Sequence, residues 1–360
     1  MPQSKLFRLG YGMIMVLLII LLANKVKFIF QPLVILVQTL FFPFLVSGVL
    51  FYLFRPVVRF LEKRGIPRGL GILLIYLVML GLLVLVGFLI GPLLKEQFNR
   101  LLANFPQMID SVQTQLINWS HHPWVASYID WNQVATAASN YLRSSISTIG
   151  TNIANFFSVI TNIILVFVTV PFILYYMLKE GERFPPYLLR LLPEKERQQG
   201  LRILGDMDFA LSSYIKGQVL VSLLVGVLVY IGYLIIGLDY SLILALVTMF
   251  TNVIPLVGPF IGTIPAVIVA LIDSPMMVVW VLVVAFVAQQ LEGNLVSPYV
   301  MGKSLDVHPL TIILLLLVAG SLGGFLGLLL AVPTYAVLKV VVSHLYRLVR
   351  LRAMSKQEES

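Results

Sequence analysis

The sequence predicts an all-α membrane protein with about eight transmembrane helices, some discontinuous, and a helical hairpin outside the bilayer. Three observations carry that expectation. Hydrophobic residues make up 59% of the 360-residue chain and charged residues only 11%, with a mean hydropathy of +0.97. A soluble domain carries about 25% charged residues. The apolar residues also fall in runs near the roughly 20 needed to cross a hydrocarbon core about 30 Å thick. One such run is interrupted by Asn252-Val-Ile-Pro255-Leu-Val-Gly258-Pro259-Phe-Ile-Gly262-Thr-Ile-Pro265. Three prolines and two glycines cannot make a simple lipid-facing helix, because lipid gives the freed backbone groups no partner.

The elements follow in chain order. Met1–Asn24 has a basic start (Lys5, Arg8) and an apolar core. No small-x-small cleavage pattern follows it, so it reads as an uncleaved first span rather than a signal peptide. Further spans are expected at Phe28–Phe54, Gly69–Leu93, Phe156–Leu178, Gln218–Gly237, Ser241–Ile272, Pro275–Leu295 and Pro309–Lys339. With the N-terminus in the cytoplasm, 19 of the 25 Lys and Arg residues lie on that side. They cluster at the N-terminus, in Arg55–Arg68, in Lys179–Lys216 and from Lys339 on, as the positive-inside rule requires. Both termini are therefore expected in the cytoplasm. The opposite possibility at Ser241–Ile272, a re-entrant pair of half-helices, would invert everything after it.

These spans divide the chain into six parts. They are a three-span region (1–94), an extracytoplasmic arm (95–155), a fourth span (156–178), a cytoplasmic amphipathic linker (179–216), a C-terminal membrane region with broken helices (217–340) and a cytoplasmic tail (341–360). In the arm, Leu94, Phe98, Leu101, Phe105, Met108, Val112, Leu116 and Trp119 keep helical spacing. Val134, Ala138, Leu142, Ser145, Ile149 and Asn152 continue it beyond a turn at Pro123. The arm either packs on itself or meets copies of itself in a homo-oligomer. In the linker, Pro193-Glu194 opens a helix whose apolar face is expected to lie along the membrane surface and feed span five.

Polar groups inside a bilayer are costly and ask for a reason. Span seven begins apolar and then presents Gln289, Gln290, Glu292, Asn294 and Ser297, with spacings of three and four that stack side chains on neighbouring helix faces. Glu292 and Asn294 are candidates for coupling to protons or a cation; a carboxylate solvated at the mouth of the span is the other reading. Span eight contains Gly320, Gly323, Gly324 and Gly327 ahead of Pro333. These serve close helix packing or hinge motion. Two discontinuous spans in one half of a chain are the pattern of a transporter site. Gly258 and Gly262 would let a ligand approach the backbone, and free amides at a half-helix start favour anionic or electron-rich groups.

The remaining residues exclude more than they propose. With no cysteine, disulfides and cysteine-ligated metals are excluded. His121-His122 has no carboxylate cluster near it in sequence, and His308 before Pro309 reads as a helix-opening residue. No metal or other cofactor is expected. The net charge of +9 sits in loops beside the spans and points to membrane orientation, not nucleic acid. The phosphate loop, the His-Glu-x-x-His zinc helix and the Gly-x-Ser-x-Gly elbow are all absent from the sequence, so neither ATP hydrolysis nor another catalytic activity is expected.

Several motifs together resemble the autoinducer-2 exporter family of bacterial membrane proteins, over about residues 10–345. They are Tyr214-Ile-Lys216-Gly217-Gln218, the Asn252–Pro265 segment, and Glu292-Gly-Asn294-Leu-Val-Ser-Pro298-Tyr-Val-Met301-Gly302-Lys303 running on to His308-Pro309. Gly327-Leu-Leu-Leu-Ala-Val-Pro333 and the Arg55-Pro56 to Ile66-Pro67-Arg68-Gly69 stretch fit as well. The resemblance implies a multi-pass protein that moves small solutes outward without ATP. Some members are linked to autoinducer-2 and others resemble sodium/proton antiporters. It nominates Gln218, Asn252, Pro255, Gly258, Glu292, Asn294, Pro298 and Gly302. One departure stands out: the often acidic family position before Asn294 is Gly293 here, and Glu292 lies one residue earlier.

The sequence thus leads to a secondary transporter or exporter of a small polar molecule. Its substrate pathway would run past Gln218, Asn252, Pro255, Gly258, Pro259 and Gly262, with Glu292 and Asn294 coupling an ion. A cation/proton antiporter of the same fold is the first alternative. A non-transporting membrane scaffold that recruits partners through the arm is the second.

Overall fold

The computed structural model describes residues 5–25, 27–120, 136, 156–191, 193–301 and 307–358. Its described elements are all helical: α1 (Lys5–Lys25), α2 (Lys27–Lys63), α3 (Arg68–Ser120), α4 (Phe156–Glu180), α5 (Phe184–Leu188) and α6 (Glu194–Ile235). Then follow α7 (Ser241–Thr251), α8 (Gly258–Asp273), α9 (Pro275–Leu291), a π turn (Glu292–Val296), α10 (Ser297–Met301) and α11 (Pro309–Glu358). Five of the described helical stretches are long and apolar enough to cross a bilayer: Gln31–Lys63, Arg68–Asn104, Glu196–Ile235, Pro275–Val300 and Pro309–His344.

Two helices run through boundaries expected from the sequence. α3 continues 53 residues, so the first helix of the arm extends span three without a break. The arm from 121 to 155, apart from 136, lies outside the described residues, and so do His121-His122 and Gly302. α6 is one helix of 42 residues, about 63 Å long at about 1.5 Å per residue. The linker helix is therefore not a separate element; it runs on into span five as one helix. Glu194 and Glu196 in its first turn suit the positive end of its dipole. Its other end is closed by Gly237 at φ 71°, where Leu238 N donates to Tyr233 O (3.0 Å) and Gly237 N to Leu234 O (3.2 Å). That double bond is a Schellman cap, whose left-handed residue favours glycine.

Charged side chains gather at one face of the bundle. Glu182 accepts from Arg59 Nη2 and Arg68 Nη1, both at 2.9 Å, joining α2 and α3 to the turn after α4. Arg55 donates to Asp208 of α6 at 2.8 Å and stacks on Phe51 and Tyr52. His344 of α11 meets Asp206 at 2.7 Å. The hydrogen-bonded guanidinium of Arg68 holds the Glu182 carboxyl down to about 2; partial burial opposes it and Arg59 adds to it. Beneath this face α2, α3 and α4 share a core of Phe51, Val58, Ile72, Ile75, Leu174 and Leu178. Ser47 Oγ donates to Val170 O (3.1 Å) and Tyr76 Oη to Pro171 O (2.6 Å).

The expected single span Ser241–Ile272 is instead two short helices packed antiparallel. α7 has 11 residues, about 16 Å, roughly half the hydrocarbon thickness. It leaves the Gly237 cap and returns along α6, with Leu244 and Ala245 against Val225, Val229 and Tyr233. α8 then runs back beside α7. A Cβ at Gly262 would lie 2.6 Å from Thr248 Cα, and one at Gly258 would collide with the Thr251 carbonyl. The glycines let the two backbones touch, so the space a ligand was expected to use is filled by α7. Both ends of this hairpin reach the face opposite the charged one. There Asn104 Nδ2 donates to Tyr240 Oη (3.0 Å), and Ile243 N at the start of α7 donates to Gln97 Oε1 (3.3 Å).

The last expected span is folded too. At Gly324 the backbone adopts φ 56° and ψ −136°, outside the helical region and natural only to glycine. The chain reverses there: Gly320 faces Leu328, and Gly327 sits against the Ala319 carbonyl. Leu316 of one arm and Ala331 of the other pack together on Ile254. Because His344 meets Asp206, this second hairpin opens on the charged face. The two reversals offset one another. One crossing by α9 lies between two hairpins that do not cross, so the end of α11 lies on the same face as Arg55–Arg68, as the charge pattern required.

Candidate functional site

The first hairpin's tip is the irregular stretch 252–257. Asn252 N still donates to Thr248 O (2.9 Å) and Ile254 N to Thr251 O (3.0 Å), after which helix is impossible because Pro255 brings no N–H. Val257 N donates to Pro255 O at 2.8 Å across Leu256, whose φ is 64°. A three-residue turn with a positive φ at leucine stores about 1–3 kcal/mol of strain. Such strain persists only where the surroundings over-determine it, and it concentrates at functional sites.

The surroundings here are polar groups from three elements. Gln218 of α6, 5% exposed, donates through Nε2 to Asn252 O at 2.7 Å. Asn252 is 0% exposed, yet its Nδ2 and Oδ1 have no hydrogen-bond partner. Leaving such an amide unsatisfied costs about 1–3 kcal/mol, so its retention calls for a role. The half-buried Glu292 carboxyl faces the Asn252 side chain closely enough to interact with it, short of a well-formed hydrogen bond. Gln289 Nε2 lies 3.4 Å from Glu292 Oε2. Among the described residues, no three His, Asp or Glu side chains converge to hold a metal.

The structure thus brings together Gln218, Asn252 and Glu292, and separates others. Asn294 is exposed, because the π turn Glu292–Val296 changes the number of residues per turn just where α-helical spacing paired it with Glu292. Pro298 is exposed as well. Pro255 lies half-buried in the turn, while Gly258, Pro259 and Gly262 are buried between α7 and α8. Gly320, Gly323, Gly324 and Gly327 form the tip of the second hairpin, where the side of the turn carries no ionisable group. Where a ligand was expected to approach the backbone at Gly258 and Gly262, α7 fills the space. At the other end of the first hairpin is a cavity of about 320 Å³, lined by Asn104, Gln107, Ser111, Asp239, Tyr240 and Asp273 among others.

Opposed hairpins around a buried amide and carboxylate fit a membrane transport protein, and sequence comparison agrees. The model of the AI-2E family transporters matches residues 13–347. The chain belongs to that family. YueF of Bacillus subtilis (strain 168), which its name describes as a transport protein, is 46% identical over 365 residues, covering 100% of this chain and 99% of YueF. YrrI of the same organism, similarly named, is 34% identical over 339 residues, 93% of this chain and 95% of its own length. PerM of Escherichia coli (strain K12), named as a permease, is 31% identical over 308 residues, 83% of this chain and 86% of PerM. Membership in the AI-2E family makes this chain a multi-pass membrane transporter or permease and not an enzyme by family.

Sequence reasoning missed Tyr214 and Ser222. Both are buried on α6 with hydroxyls that have no partner. Their signal was legible: with Gln218 they recur every four residues on one helix face.

Proposed function

We propose that this AI-2E family protein is an ATP-independent secondary transporter that exports a small polar solute, autoinducer-2 among the candidates, across a bacterial cytoplasmic membrane. The observation that carries the reading is the Asn252 side-chain amide, fully buried and unpaired at the tip of a half-membrane hairpin. An arriving solute would satisfy it, which turns the cost of the empty site into affinity. Gln218 fixes the tip by holding the Asn252 carbonyl, and Glu292 supplies the ionisable group whose protonation or cation binding links solute movement to a gradient. The hairpin tips are the parts that yield, since each is an interruption of regular helix. The charged face would be cytoplasmic, in keeping with its Lys and Arg clusters.

Purified protein in liposomes, tested for flux of candidate signals with and without imposed proton and sodium gradients, checks this. Glu292→Gln should abolish gradient-driven flux while leaving the fold intact. Unchanged flux with unchanged ion dependence would remove Glu292 from the mechanism. A second reading, a cation/proton antiporter, draws on the same carboxylate beside an amide oxygen, which is a set of oxygen ligands for a small cation. It expects ion exchange in vesicles with no organic solute present.

A further inference from the structure

One face of α6 changes character along its length. Tyr214, Gln218, Ser222, Val225, Val229 and Tyr233 follow steps of four and three, so they form a single stripe, and all six are buried. The upper part, Val225 and Val229 with Tyr233 beyond, packs into the core shared with α7, α8 and α9. The lower part is polar, and it begins at the level where Gln218 holds the hairpin tip. Tyr214 Oη, Ser222 Oγ, Asn252 Nδ2 and Asn252 Oδ1 are buried without a partner here, and on the upper part Tyr233 Oη, at its far end, shares that state. Unpaired groups are rare in protein interiors, and several along one track mark a place that water or a ligand occupies. Packing alone would have been served by valine, as it is one turn further on.

We propose that Tyr214, Gln218 and Ser222, with Asn252 beside them, are the wall of a closed passage leading from the hairpin tip to the charged face, and that it conducts an uncharged, hydrogen-bonding molecule. The proposal rests on the transport reading and extends it. The lining groups are a phenol, two amides and a hydroxyl, all neutral donors and acceptors. Ionisable groups stand at its two ends: the Glu292 carboxyl beside Asn252 at the tip, and Lys216, with Arg55 and Asp208 near it, at the level of Tyr214. The stripe itself carries no cation for an anion, which would also meet the Glu292 carboxyl at the tip. The second hairpin's arms, packed on Ile254 of the tip, close the passage in this structure.

The absence of cysteine makes the test direct. Ser222→Cys, Tyr214→Cys and, as the apolar control on the same stripe, Val229→Cys are placed one at a time in the otherwise unchanged full chain in liposomes. Each is reacted with uncharged N-ethylmaleimide and with an anionic methanethiosulfonate of similar size. The first two thiols should react with the maleimide about tenfold or more faster than the third, and faster than with the anion, because only a wetted thiol is open to attack. Reaction no faster than at Val229→Cys overturns the passage, and equal rates for both reagents overturn its preference for uncharged molecules. If Tyr214→Cys does not fold, Ser222→Cys decides alone. Reactive thiols in a protein that moves no tested solute would keep the passage and sink the transport reading. Unreactive thiols beside measurable flux would do the reverse.

Discussion

The two hairpins differ in how they turn, and the difference separates chemistry from scaffolding. The first reverses through six residues that include a proline, a strained leucine and a buried asparagine, with Gln218 and Glu292 gathered around it. The second reverses at Gly324 alone, and the hydroxyl nearest its tip, Ser321 Oγ, is spent on its own helix at Val318 O (2.8 Å). Both depend on glycine where backbones touch. Only the first leaves polar groups unsatisfied at its tip. A turn needs one permissive residue; unpaired groups inside a membrane need a further reason.

That contrast can be broken at the backbone first. Gly258→Ala and Gly327→Ala each push a methyl group into a carbonyl, of Thr251 and of Ala319, that cannot step aside. Each should lower stability by about 1–3 kcal/mol or more, read as the thermal midpoint in detergent. A normal midpoint for Gly327→Ala would mean the second reversal is not built as described.

Side chains at the two tips should then part company. Asn252→Leu removes an unsatisfied amide at nearly constant volume, so stability should hold or rise by about 1–3 kcal/mol while flux is lost. Ser321→Ala at the other tip should change neither. Loss of stability in Asn252→Leu would show that the amide is satisfied and structural. A smaller effect belongs to Gln97→Ala, which takes from α7 its only described side-chain cap, at Ile243 N. It should cost about 0.5–2 kcal/mol, again by thermal unfolding; the second hairpin carries its own cap, His308 Nδ1 accepting from Leu310 N at 3.2 Å, which this substitution leaves untouched.

The smallest expected effect lies away from both tips and serves as their control. Glu182 titrates at about 2 in the folded protein, below the ordinary 4.5. Its depressed value means a stabilising contribution that is present above about pH 4.5 and lost as pH falls toward 2. With the side chain 44% exposed, solvent screening limits this to about 0–1 kcal/mol. Acid titration of stability in Glu182→Gln should lack that component and leave flux at neutral pH unchanged.

Much of this was written in the chain. Apolar runs and basic clusters marked the membrane region and its charged face, and Pro255 with Gly258 marked a break, though it was expected as an interruption of one span and not as a reversal. Glu292 stood out as a polar group in apolar surroundings, Gln218 and Asn252 came with the family resemblance, and the three converge. Asn294 did not join them, because a π turn is a choice of hydrogen-bond register that leaves no periodic trace in sequence. The second reversal was hidden for a different reason. Glycines four apart serve a close crossing of separate helices as well as a fold-back within one, and only the torsion of Gly324 tells them apart. The roles of Gly258 and Gly262 were hidden in the same way: a bare backbone face admits a neighbouring helix as readily as a ligand.

The order of synthesis gives the first hairpin a further consequence. Its arms and turn emerge from the ribosome before α9 and α11 exist, although Glu292, Leu316 and Ala331 are what shelter the turn in the finished protein. Until those segments arrive, the peptide groups between Asn252 and Val257 have no cover but α6 and whatever the insertion machinery provides. The nascent chain must therefore be held at the edge of the bilayer with its turn unspent, and a delay after residue 273 should make this the step at which biogenesis fails.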